Sequence, residues 1–186
     1  MKHNLYDMMC LDIYLSHISD IDYKVLKIDT KTNASMPLLS WDLYKDAHQQ
    51  RLKDAKKASE LQQVLSFAEK FKWQNDINLA FLENDYEALI ITDKNQNVIW
   101  VNEGFTEMTG YSKKFAINKT PRFLQGKSTN LATKKRVRER IIKNQPFKTI
   151  ITNYKKDNTP YKCEVKIIPL YNNDTTHFIA FEKQVV

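Results

Sequence analysis

Glycine is scarce in this chain: 186 residues hold only Gly104, Gly110 and Gly126, all in the second half. That scarcity excludes phosphate-cradling loops and dinucleotide-binding turns, which need several glycines at fixed offsets. Cysteine is scarcer still. Cys10 and Cys163 lie far apart and in no metal-like spacing, so neither a disulfide framework nor a zinc site is expected, and both thiols should be reduced. No apolar run approaches the ~18 residues of a membrane span. The opening Met1–Asp7 lacks the apolar core and small-residue cleavage site of a signal peptide, so a cytoplasmic location is expected. The four histidines form no metal-binding cluster with the acids, so no metal is expected. Nucleophile elbows and segments resembling histidine kinases or nucleotide cyclases are also missing. No residue is assigned a catalytic role, and a non-enzymatic protein is expected.

What is present is ordinary globular material, 42% hydrophobic and 27% charged. Its length suits one domain of usual size with a helical extension. The net charge of +7 is unevenly spread. Residues 1–83 carry 11 Lys and Arg against 12 Asp and Glu, whereas residues 84–186 carry 18 against 10. A basic second half can attract phosphates or an acidic partner. The densest run, Lys134–Arg140 with Lys143, lacks interleaved aromatics that could stack on bases, so it reads as a solvated helix face. Nucleic acid is not expected as a partner.

The first part of the chain reads as helical. Leu5, Met8, Met9 and Ile13, then Leu15 and Ile18, recur at helical spacing. A polar break over 28–37 precedes a long Gly- and Pro-free stretch, 41–72, with Ser40 as the expected N-cap and Trp41, Leu61, Leu65 and Phe71 among its apolar positions. A short helix is expected from about Asn75 to Leu82. The pattern changes near Glu87. Short β-branched runs, Ala88–Thr92 and Val98–Val101, flank a turn-like Asp93–Asn97. Asn102 can cap a helix that Gly110 ends. A further helix over 130–143 has Val137, Ile141 and Ile142 as its apolar stripe. Strands at Lys148–Tyr154, Tyr161–Leu170 and Thr176–Glu182 follow. This order predicts an α+β fold with one sheet and helices over one face, divided into a helical region, 1–75, and a domain, 76–186.

Several strings resemble the PAS family, most closely its flavin-binding light-oxygen-voltage (LOV) branch. Asn102 to Gly110-Tyr111-Ser112, then Pro121-Arg122-Phe123-Leu124-Gln125-Gly126, Asn153–Tyr161 and His177–Phe181 are similar to the family's successive motifs. The resemblance covers roughly residues 84–184. It implies a five-stranded antiparallel sheet with helices on one face, and a sensory or interaction role rather than catalysis.

The branch's photochemical residues are only partly kept. Its reactive cysteine corresponds to Pro121, so thiol adduct chemistry is excluded. Of its two flavin-facing asparagines, one is kept as Asn153 and the other is Cys163; its final-strand glutamine is Glu182. Gln125 is kept, as are Arg122 and Arg138, which by resemblance would hold a flavin phosphate. Cysteine is a poor substitute for an amide, and an ionised Glu182 accepts hydrogen bonds without donating any. Leaving two ring contacts unmade removes roughly two to four decades of affinity. The expected function is therefore a stand-alone PAS signalling module acting through protein–protein contacts, with a homodimer built by its N-terminal helices and no cofactor. A small ligand in the PAS cavity remains compatible with it. The alternative is a sensor that binds flavin mononucleotide (FMN) or another cofactor through Arg122, Gln125, Arg138, Asn153, Cys163 and Glu182, without cysteine photochemistry.

Overall fold

The computed structural model describes residues 37–185, with side chains from residue 48 onward. The expected helix at Leu5–Ile18 and Cys10 lie outside the described residues, as do the side chains of Trp41 and Tyr44. The chain divides into two compact units, 1–50 and 51–186. The second carries the fold described below.

Helix α1 runs Pro37–Phe71. It begins three residues before the expected cap at Ser40, because a proline's fixed φ suits the first turn, where its missing N–H costs nothing. Helix α2, Ile77–Glu83, is capped by Asp76, whose carboxylate accepts from the Leu79 amide at 3.0 Å. Strands β1 (Ala88–Asp93) and β2 (Val98–Val101) follow. Helix α3 (Glu103–Thr109), helix α4 (Lys113–Ala116), a 3-10 turn (Pro121–Leu124) and helix α5 (Leu131–Ile142) then separate this hairpin from three long strands. These are β3 (Phe147–Tyr154), β4 (Pro160–Asn172) and β5 (Asp174–Val185). All pairings are antiparallel, in the order β2-β1-β5-β4-β3.

With little glycine available, asparagine supplies the left-handed corners. Asn118, Asn144, Asn158 and Asn173 all have φ between 51° and 65°, a region their short polar side chains tolerate. Glycine is kept where nothing else fits. Gly110 ends α3 at φ 76°, and a Cβ on Gly104 would overlap the Glu87 carbonyl oxygen.

Alternation along the strands sorts side chains into two cores. Ala88, Ile90, Val101, Ile151, Cys163 and Val165 face α3 and α4 on the inner side, with Phe105, Met108 and Leu124 closing over them. Leu89, Ile91, Leu170, Ile179 and Phe181 face outward, where Val64, Trp73 and Ile77 bury them. Helices α3 and α4 thus lie on one face, as expected, and the stretch from Leu61 to Ile77 covers the other. Leu61, Leu65 and Phe71, apolar positions of the long helix expected from the sequence, pack on this outer face.

Buried polar groups fix that cover in register. Glu60, on α1, accepts from Tyr86 Oη and from Asn102 Nδ2, both at 2.9 Å. Asn102 Oδ1 in turn accepts from the Leu89 and Phe105 amides, each at 2.9 Å, so a single side chain ties α1 to β1 and α3. No described helix is long and apolar enough to cross a membrane.

Candidate functional site

Between the inner sheet face and α5 lies a cavity of about 420 Å³, within the usual size of small-molecule sites. The sheet supplies its floor. Ile90 and Thr92 come from β1, Thr149, Ile151 and Asn153 from β3, Val165 and Ile167 from β4, and Phe178, Ala180 and Glu182 from β5. Phe178, Ala180 and Glu182 share this face because they alternate along one strand. The 3-10 turn contributes Pro121, Arg122 and Leu124, followed by Gln125. Helix α5 contributes Lys134, Val137, Arg138 and Ile141, one stripe at helical spacing, together with Lys135.

Five of the six positions marked in the sequence therefore meet around one cavity: Arg122, Gln125, Arg138, Asn153 and Glu182. The sixth, Cys163, is fully buried beneath it, paired across β3 with Ile151. Its Sγ lies 3.8 Å from Glu182 Oε2 and 3.7 Å from the Glu164 carbonyl oxygen. Burial, and then the charge of Glu182, push the thiol well above its ordinary range, so Cys163 is no nucleophile. Pro121, which by resemblance takes the place of a reactive cysteine, stands in the cavity wall.

Glu182 is 4% exposed. Loss of hydration pushes its carboxyl up from 4.5 to about 7, with the Cys163 contact pulling slightly the other way. Near neutral pH much of it is a neutral acid able to donate as well as accept. The sequence-based objection that Glu182 only accepts thus applies above that range. Nearby, Tyr161 is raised by burial and then by Glu182, with the Asn153 contact pulling the other way.

Sequence reading missed Lys134 and Lys135 as cavity residues, taking them as part of a solvated basic face. Lys134 sits one helical turn before Val137 and Arg138, and that spacing was the available signal. Conversely Ile142, expected on the apolar stripe, is 69% exposed. No residue of α5 is buried. Arg122, Lys134, Lys135 and Arg138 make none of the ion pairs found among the described residues. The cavity thus combines apolar walls, an amide and a carboxyl on its floor, and free cations on the turn and helix that close it.

A family model, the PAS domain, matches residues 87–183. The chain belongs to the PAS family. The blue-light photoreceptor of Listeria innocua is 35% identical over 114 residues, covering 59% of this chain and 45% of that protein. The bacterioopsin transcriptional activator of Halobacterium salinarum is 30% identical over 96 residues, covering 50% of this chain and 14% of the activator. The chain thus spans less than half the length of these relatives. Among solved structures, the LOV domain of the Erythrobacter litoralis blue-light-activated histidine kinase is 27% identical with a TM-score of 0.51, covering 55% of this chain and 98% of that one. The LOV domain of the photoreceptor aureochrome superposes with a TM-score of 0.53 at 23% identity, over 56% of this chain and 86% of that domain, a likeness of fold. These likenesses agree with the resemblance to LOV domains read from the sequence, in which Pro121 takes the place of the branch's reactive cysteine.

Proposed function

We propose that this chain is a PAS sensory module whose cavity holds a small planar ligand with an anionic tail, and whose output passes to another protein chain. The observation that carries this reading is the cavity's polarity. Its cations come from the closing turn and helix, its walls are apolar, and its floor offers Asn153 and Glu182. An aromatic ring system would fill the apolar part, its polar edge would meet the floor, and a phosphate or carboxylate would be held by Arg122 and Arg138. FMN has this chemistry, and the LOV resemblance makes it the first ligand to try. With Pro121 in the wall, bound flavin would form no adduct with a protein thiol at that place. Cys163 still replaces an amide, so binding should be weak and the protein colourless after dilution.

The test is an FMN titration followed by flavin fluorescence and by melting temperature. Saturable 1:1 binding, weakened at least about tenfold by Arg122→Ala with Arg138→Ala, is expected for the loss of charge-assisted contacts. No binding of FMN, with no small molecule released on denaturing the protein purified from cells, would remove this reading.

A further inference from the structure

Glu182 poses a problem that the ligand reading leaves open. Its backbone is committed to the sheet. The carbonyl accepts from the Glu87 amide at 2.8 Å, and the residue pairs with Ala88 on one side and Val165 on the other. Its side chain has one polar contact, the weak one to Cys163 Sγ. A carboxylate buried on a cavity floor needs a cation or several donors to stay charged.

The groups around it offer neither. From β4 come Cys163 and Tyr161, neither charged at neutral pH. From the β1 side comes Glu87, whose own carboxylate is turned to the Gln184 amide at 3.2 Å. From β3 comes Asn153, an amide. The cations of the cavity, Arg122, Lys134, Lys135 and Arg138, belong to the closing turn and helix and make no ion pair with it. The surroundings therefore stabilise the neutral acid, whose hydroxyl is a donor with no strong acceptor among the described residues.

We propose that Glu182 makes this cavity a proton-linked receptor, donating a hydrogen bond from its neutral carboxyl to a carbonyl or ring-nitrogen acceptor on the ligand, so that binding and proton uptake occur together. This rests on the ligand reading above and adds to it which ligands are selected and under what conditions. An acceptor placed against the floor gains a donor only while Glu182 is protonated. A ligand that fills the cavity also displaces water, which raises the cost of ionising the acid still further. Deprotonation sets a bare carboxylate against the ligand's lone pair. By linkage, affinity should fall about tenfold for each pH unit above the free protein's transition for this group. A ligand amine paired with ionised Glu182 would give the opposite slope, and the cations around the cavity would repel it on entry.

The probe is FMN, titrated by calorimetry between about pH 7 and pH 9, above the second ionisation of its phosphate near 6. Two buffers with different ionisation heats report proton uptake. Wild type should weaken by about tenfold or more across this window and take up close to one proton per FMN at its upper end. Glu182→Gln keeps a donor at every pH, so its affinity should be nearly flat and its uptake near zero. In wild type near pH 6, the infrared band of a protonated carboxylic acid should shift when FMN binds, a readout that needs no variant. Binding with the same pH slope in both proteins, or wild-type binding that tightens as pH rises, would overturn the assignment while sparing the ligand reading. Absence of FMN binding at every pH, with no small molecule released on denaturing the purified protein, would sink both.

Discussion

At the scale of single residues, Glu182 is where sequence and structure differ most usefully. As a letter in a strand it looked like an acceptor-only replacement for an amide. In place it is buried and makes none of the ion pairs among the described residues, and its acid form persists to about pH 7. The consequence for stability has a definite sign. The unfolded chain ionises this group near 4.5 and the folded chain near 7. The folded state therefore binds more protons between those values, and stability is lost as pH rises through them. The shift is worth about 3 kcal/mol. Glu182→Gln, which cannot ionise, should therefore stabilise the ligand-free protein by up to about 3 kcal/mol near pH 8 and change little near pH 4. Urea denaturation at the two pH values checks this; an equal effect at both would refute it. The other cavity residues were legible to different degrees. Arg122, Gln125 and Asn153 stand in strings whose order is itself distinctive. Lys134 and Lys135 do not, because a run of cations reads the same whether the helix borders water or a cavity.

At the scale of elements, the strands were legible because β-branched runs, turn-like polar strings and capping side chains are local signals. What covers each face is not local. The stripe Leu61, Leu65, Phe71 announces that α1 must bury one side, but its periodicity does not say against what. Glu60 gives the answer in the structure, since it satisfies Tyr86 and Asn102 at 2.9 Å each. Replacing it by Ala leaves two buried donors short of partners, and each such loss costs about 1–3 kcal/mol. Glu60→Ala should therefore lower unfolding free energy by at least about 1 kcal/mol, whereas Glu69→Ala, on the exposed side of the same helix, should be near neutral. Helix α5 is the opposite case. It buries no residue and turns Val137 and Ile141 to the cavity. Its amides should exchange with solvent much faster than those of β4 and β5 in the free protein, and slow when the cavity is filled. Hydrogen-exchange mass spectrometry over 131–142 with and without FMN measures both. Protection equal to that of the central strands without ligand would mean that α5 is held by contacts of its own.

At the scale of the whole molecule, the remaining question is what residues 1–50 do. Leu61, Leu65 and Phe71 are used within the chain, so they no longer argue for a second copy. The segment before Arg51 offers another set of apolar positions for a dimer, Leu5, Met8, Met9, Ile13 and Trp41. Apolar residues at helical spacing need a covering surface, and PAS modules often pair through flanking helices, so we propose that this segment joins two chains. Removing everything before Asn75 would be a poor test. It strips Val64 and Trp73 from the outer sheet face and leaves Leu89, Ile91, Ile179 and Phe181 uncovered, an apolar patch that invites aggregation. A protein beginning at Arg51 keeps this cover, because Glu60, Val64 and Phe71 all follow that point. Light scattering after size exclusion at micromolar concentration should give about twice the chain's 22.0 kDa for the full chain, and the mass of a single chain for the protein starting at Arg51. Dimers of both would move the interface onto the PAS unit. A monomeric full chain would leave residues 1–50 to serve their own chain or a different partner.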